Sequence, residues 1–321
     1  MRRDRSLRTT FDSVAALYDE ARPGYPESLV EDVLWLSAIP PGGSILEIGC
    51  GPAKATLPFA RRGYSMLCLE LGENLAALAA EHCRPYPAVE IQNIAFEDWP
   101  LLKRAFDLVI SAGAFHWIAP EIGFSKAAAA LKDTGSIALF WNYTPGVDTP
   151  FRRAVKKVYQ ERAPQLAQHL PGSKSQDALV SETVEDINAS GLFGEVVVKR
   201  YPWAERYTAE RYIKLLNTFS RIRSLEKGVR QHLLAGVRET VERFGGVVES
   251  HNITLLYLAR LSRSKNALRG LPHLPRKRSG AGESRFGPGF DNTCPAKLCG
   301  AGSRPSKIGS TETERSRKEL K

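Results

Sequence analysis

The stretch IleLeuGluIleGlyCysGlyPro at 45–52 constrains this chain more than any other. A short apolar run ends, two glycines follow with one residue between them, and a helix-forming segment begins. Gly49 and Gly51 carry no Cβ, so a ligand can lie directly against the backbone. The start of the helix, expected over Lys54 to Arg62, offers free N–H groups to a polar or negatively charged group. Glu70 closes the next apolar run, 21 residues after Gly49. A carboxylate at that place can accept both hydroxyls of a ribose.

The glycine pair gains its meaning from the rhythm around it. Helical spacing over 26–39 ends at ProProGlyGly. Apolar runs at 44–48, 64–70, 89–92, 106–112 and 135–141 then alternate with helical segments at 54–62, 73–82 and 124–131. That order predicts parallel βαβ units with right-handed crossovers and a sheet covered on both faces. Residues 150–190 break the rhythm and read as a helical insertion after the fifth strand. A strand at 195–201, helices over 209–219 and 229–244, and a β-rich run at 253–260 follow, with the two late strands expected as an edge pair. Ligands collect at the first strand–helix switch of such a sheet, which is where Gly49 and Gly51 stand.

Two cofactors fit a glycine loop followed by an acid. A dinucleotide prefers a third glycine at the position held by Lys54. Glu47, two residues before Gly49, is instead suited to an ammonium, which S-adenosyl-L-methionine (SAM) carries. The segments GluIleGlyCysGlyPro, Glu70, PheGluAspTrp at 96–99, PheAspLeuValIleSerAla at 106–112 and LeuLysAspThrGlySerIleAlaLeuPheTrpAsn at 131–142 resemble the successive motifs of class I SAM-dependent methyltransferases. The resemblance spans about residues 8–260. The opening at 11–26 and PheHisTrpIle at 115–118 are similar to a small-molecule branch of that superfamily. It implies an α/β, doubly wound, Rossmann-like sheet of seven strands with the last antiparallel.

The resemblance also implies a site, position by position. Glu47, Gly49, Cys50 and Gly51 would line the methionine end of SAM, Glu70 would hold the ribose, and Leu71 would flank the adenine. Ala95 and Phe96 would sit beside the adenine ring, with Glu97 or Asp98 near its amino group. Ser111 would make a backbone contact under the sulfonium. Tyr18, Arg22 and Tyr25 would belong to an N-terminal lid over the cofactor, and Trp117 to the wall of the acceptor site. Where the family often has a third glycine, this chain has Ala53, and where it often has a polar acid by the adenine, it has Ala95. Asp107 is expected to order its turn, and Trp203 and Tyr207 to pack in the core. A general base is needed only where the acceptor loses a proton as it reacts, and His116 is the candidate for that role. A carboxylate acceptor would need none.

Charge decides between partner classes. The formal net charge is +10, but 14 basic and 5 acidic residues fall within 261–321, leaving 31 basic against 30 acidic groups before it. The basicity therefore belongs to the tail, 263–321, whose Gly, Ser, Pro and Lys content predicts disorder beyond a domain at 1–262. A nucleic-acid methyltransferase is the main alternative. The near-neutral body and SerAlaGlyAlaPheHisTrp after the fourth strand, in place of a base-flipping AsnProProTyr-type motif, speak against it. A non-catalytic SAM-binding protein and an NAD-dependent reductase are further alternatives. The five Cys include no CxxC pair, no metal-ligand spacing occurs, and no apolar run approaches a membrane span of about 18 residues. A cytoplasmic enzyme acting on a small molecule, without membrane or metal, is the resulting expectation. The acceptor, the atom methylated and the oligomeric state stay open.

Overall fold

The computed structural model describes residues 5–169 and 175–262. The expected disordered tail at 263–321 lies outside the described residues. Seven strands form one sheet: β1 Ser44–Ile48, β2 Ser65–Glu70, β3 Val89–Asn93, β4 Phe106–Ala112, β5 Leu131–Tyr143, β6 Val197–Thr208 and β7 Val247–Arg260. Their order is β3-β2-β1-β4-β5-β7-β6. β1 to β5 pair in parallel, and β7 enters antiparallel between β5 and β6. The apolar runs at 44–48, 64–70 and 106–112 become β1, β2 and β4, each buried along nearly its whole length.

A 3-10 stretch over Arg5–Val14 leads into α1 Ala15–Ala21 and α2 Glu27–Ser37. Then α3 Thr56–Ala60 follows β1, α4 Glu73–Cys83 follows β2, and α5 Pro120–Ala130 precedes β5. α2, α3 and α4 cover one face of the sheet, packing Leu29, Val33, Phe59 and Ala79 on Ile45, Met66, Leu108 and Phe140. α3 is shorter than the expected 54–62. Ala53 takes the left-handed conformation at φ +68°, which keeps the chain in turns until Thr56. α5 begins earlier than expected, because Pro120 stands in its first turn, where its missing N–H costs nothing.

The insertion is real but is not one unit. It holds α6 Pro150–Arg162, a 3-10 stretch Pro164–His169 and α7 Gln176–Ala189. α6 joins helices from between β6 and β7: α8 Ala209–Leu216, α9 Ser220–Arg223 and α10 Lys227–Arg243. Val155, Val158 and Tyr159 of α6 share a second core with Leu216, Leu233, Val237 and Val241. α7 instead lies against β7, where the Tyr257 hydroxyl reaches the Leu179 carbonyl. The result is a helical cap above the strand ends. Asp107 has the ordering role expected of it: its Oδ2 accepts from the Ser44 N–H at 2.9 Å and Lys132 Nζ at 2.8 Å. Tyr207 is buried as expected. Trp203 is half-buried and donates to Thr254 Oγ1 at 2.9 Å.

Candidate functional site

β1 lies between β2 and β4, so the loops leaving β1 and β4 part at the carboxyl edge of the sheet. This is the switch point of an open α/β sheet. Gly49 (φ +70°), Gly51 (φ +56°) and Gly113 (φ +73°) all take backbone conformations that side chains disfavour. A Cβ built on Gly49 would stand 2.4 Å from the Ala114 Cβ, so the two loops approach each other closely there.

Glu70 closes β2 and holds the glycine loop. Its Oε2 accepts from the Gly51 N–H at 2.8 Å and its Oε1 from the Gly72 N–H at 2.9 Å. Burial raises its pKa, and the backbone donors oppose the shift. Glu47 is fully buried at the end of β1. Its Oε2 accepts from Thr56 Oγ1 at 2.7 Å and Cys68 Sγ at 3.7 Å, and its Oε1 has no hydrogen-bond partner. Burial pushes its pKa up to about 8. An orphaned buried carboxyl oxygen and a glycine cradle are what an ammonium-bearing ligand would complete. Cys50 is buried in the same loop, and the neighbouring Cys68 thiol and burial push its thiol well above its usual range, which removes it as a nucleophile.

The state of Glu47 gives a pH test. The fold keeps its proton to about pH 8, whereas the ordinary value is 4.5. The unfolded chain therefore binds fewer protons across that window, and stability falls as pH rises through it, by about 1.4 kcal/mol per unit at most. Thermal melts at steps from pH 5 to 8 check this. The ligand-free wild type loses stability relative to Glu47→Gln as pH rises, and parallel curves would contradict it.

The N-terminal segment forms a strap across the site. Asp12 Oδ1 accepts from the Leu75 N–H at 3.1 Å and its Oδ2 from Asn74 Nδ2 at 2.9 Å, which fixes the strap to the start of α4. Arg8 reaches Glu97 at 2.5 Å, Asp19 faces Lys54 at 3.3 Å, and Glu20 meets Lys214 of α8 at 2.8 Å. Arg22 donates to Thr218 Oγ1 at 2.7 Å and lies over the Phe219 and Tyr18 rings. Tyr25 packs edge-on against Phe140.

Below the strap is a cavity of about 880 Å³. The structure brings Tyr18, Arg22, Tyr25, Gly49, Cys50, Gly51, His116 and Trp117 together around it. Phe11 joins them, edge-on to both Tyr18 and Trp117. Glu47, Glu70, Leu71, Ala95, Phe96 and Ser111 are not among its lining residues; Glu47 and Ser111 lie within β1 and β4, and the others at and after the ends of β2 and β3. Phe96 stacks on Trp99 at 6.2 Å. Ser111 is buried below, its hydroxyl donating to the Ile48 carbonyl at 2.7 Å. His116, the candidate base, stands on the cavity wall. Trp141 Nε1 donates to its Nδ1 at 2.9 Å. An indole N–H only donates, so Nδ1 carries no proton and Nε2 does. The Trp141 indole thus fixes the orientation of the ring.

Several functional positions escape a reading of the sequence. Lys126 is buried, and its Nζ donates to the carbonyls of Glu97 at 3.0 Å and Trp99 at 2.5 Å, which shapes the loop after β3. A lone Lys before an all-Ala run in an apolar helix was the available signal. Asn93 holds the carbonyls of Glu70 and Leu71 at 2.9 and 3.0 Å. Asp12, Thr218 and Trp141 act through partners distant in sequence, which no local pattern reveals.

Residues 45–135 match the family model for a methyltransferase domain. With the seven-stranded sheet, the glycine loop and the acids at the ends of β1 and β2, the match and the relatives below support a SAM-dependent methyltransferase, an enzyme whose cofactor is S-adenosyl-L-methionine. The chain is 25% identical over 252 residues to an uncharacterized methyltransferase-like protein of Schizosaccharomyces pombe, covering 77% of this chain and 92% of that one. It is 28% identical over 158 residues to a Saccharomyces cerevisiae protein named a probable S-adenosylmethionine-dependent methyltransferase, covering 48% of this chain and 53% of that one. In fold it is similar to a type II methyltransferase structure from Anaeromyxobacter dehalogenans, with a TM-score of 0.52, 20% identity, and coverage of 74% of this chain and 97% of that one. Among the described residues no helix is long and apolar enough to cross a membrane, and no group of His, Cys, Asp or Glu is placed to hold a metal ion.

Proposed function

We propose that this methyltransferase acts on a small molecule. The observation that carries the reading is the cavity bounded by the strap, the cap and the carboxyl edge of the sheet. The strap and the cap wall it on the sides away from the sheet, and its inner lining is aromatic: Phe115, Trp117, Phe124, Trp141 and Tyr159. A volume of about 880 Å³ suits a methionine end together with one compact acceptor.

In the same reading, Glu47 faces the ammonium of the cofactor, Gly49 and Gly51 admit its methionine end, and Glu70 accepts from the ribose hydroxyls. Leu71, Ala95 and Phe96 border the adenine, and Ser111 holds the floor of β4 in place. When bound, SAM supplies a methyl group on a sulfonium that departs as a neutral thioether. The chain then has three tasks: to hold the acceptor in line, to keep water out and to fix the cofactor. The strap excludes water, and the His116 loop and β5 position the acceptor. The reducing cytoplasm suits Cys50, Cys68 and Cys83, which are all free and buried.

Incubation with methyl-tritiated SAM and separate pools of metabolites, nucleic acid and protein tests the reading. Label is expected in the metabolite pool. Label in nucleic acid or protein would replace it with a macromolecular acceptor. Binding of S-adenosylhomocysteine with no label in any pool would point to a non-catalytic role.

A further inference from the structure

We propose that Asp19 and His82 are positioning residues for the cofactor. Together they latch the strap to the glycine loop, and the latch tightens when His82 takes up a proton. The inference rests on the reading of Gly49 and Gly51 as the seat of the methionine end, and not on the nature of the acceptor.

The loop between β1 and α3 needs support from outside. Ala53 is a non-glycine residue at φ +68°, a conformation that persists only where its surroundings enforce it. Anchors stand on both sides of it. His82, in the last turn of α4, has its Nδ1 2.9 Å from the Pro52 carbonyl oxygen. Lys54 Nζ lies 3.3 Å from Asp19 Oδ1 of α1. Just before them, the Gly51 N–H donates to Glu70 Oε2 at 2.8 Å. Positions 51, 52 and 54 are thus tied to three different elements: the end of β2, α4 and the strap.

Asp19 joins two of these anchors. Its other oxygen, Oδ2, lies 3.4 Å from His82 Nε2. One carboxylate on the strap therefore faces Lys54 with one oxygen and His82 with the other. The three side chains are between 24% and 32% exposed, so water and salt screen them less than they would an open surface pair.

The partners of His82 set its tautomer. A carbonyl oxygen only accepts, so Nδ1 carries the proton. In the neutral ring Nε2 then points a lone pair at a carboxylate. A proton taken up at Nε2 turns that opposition into an ion pair and leaves the Pro52 contact in place. Imidazoles change charge between about pH 5 and 8, so the latch can respond in that range. The other charged groups around α4 have partners of their own. Asp12 holds Leu75 and Asn74 at its first turn, Arg62 after α3 pairs with Glu27, and Glu20 of α1 pairs with Lys214. Glu90 of β3 accepts from Gln92, and Glu81 and Arg84 flank His82 on its own helix. Because Asp19 meets His82 only with the strap in place, a proton on His82 favours the docked strap and slows the escape of whatever lies beneath it.

The full chain is titrated calorimetrically with S-adenosylhomocysteine at steps from pH 8 to 6, beside His82→Gln. Gln keeps an amide N–H for the Pro52 carbonyl and cannot take up charge. Glu47 titrates in both proteins, so its contribution cancels in the ratio of their affinities. The wild-type advantage is expected to grow from about onefold at pH 8 to about threefold to fivefold at pH 6, the size of one partly exposed ion pair. Stopped-flow release should show it as slower dissociation, since the strap must lift before the cofactor leaves. In an Asp19→Asn background the same His82→Gln exchange should leave the ratio flat. A ratio that does not change with pH in the wild-type background, which a merely structural His82 would give, overturns the proposal. So does a pH-dependent ratio that survives Asp19→Asn. No binding by the wild type at any pH would overturn the cofactor-site reading itself, and the latch with it.

Discussion

Gly49→Ala lowers the affinity for S-adenosylhomocysteine by about a hundredfold or more, measured by calorimetric titration. Two costs combine. At φ +70° a non-glycine residue gives up about 1–2 kcal/mol. The added methyl would also stand 2.4 Å from the Ala114 Cβ, far inside contact distance, so the loops after β1 and β4 must separate. In the proposed complex the cofactor lies between these loops. The double variant Gly49→Ala with Ala114→Gly removes the collision and leaves the backbone cost. It should recover part of the affinity. Full recovery would show that backbone geometry is irrelevant, and no loss in the single variant would place the cofactor elsewhere.

Glu70→Ala is expected to be nearly as damaging, with a loss of about a hundredfold in the same titration. The side chain does two jobs through the same atoms. It holds the N–H groups of Gly51 and Gly72, and in the proposed complex it accepts from the ribose. Hydrogen bonds to a charged group contribute about 1.5–3 kcal/mol each. Glu70→Gln keeps one acceptor oxygen and should cost about tenfold. Equal losses in both variants would mean that the charge matters and the loop contacts do not. Unchanged affinity in Glu70→Ala would remove Glu70 from the cofactor site.

The glycine loop, Glu70 and the strands β1 to β4 were legible because each depends on a local pattern. Near-continuous apolar runs mark β1, β2 and β4 as buried parallel strands, ValGluIleGln marks the half-buried β3 by its alternate apolar positions, and glycine pairs mark positive φ. The late strands were harder. β6 runs on through Pro202, Trp203 and Arg206 to Thr208 with mostly exposed or half-buried positions, so the legible run stopped at Tyr201. β7 begins at Val247, six residues before its apolar stretch. The cap was legible as helices but not as an assembly, since α6 pairs with helices that follow β6. The same limit hid the strap, where Asp12 meets Asn74 and Leu75 across more than sixty residues. His116 was legible as a site residue, but its proton state depended on Trp141, 25 positions away.

The place of β7 has a consequence for synthesis. β5 ends at Tyr143, and the strand that covers its free edge does not begin until Val247. At about 5–20 residues per second, a ribosome needs several seconds to make the intervening chain. For that time the nascent β5 presents an unpaired edge, and Trp141 lacks its edge-on contact with Tyr257 of β7. The first five strands can gather as they emerge, but the sheet is completed from its far end backwards. A ribosome that stops short of residue 260 therefore releases a chain with an open sheet, and such a product is a substrate for chaperones and proteases.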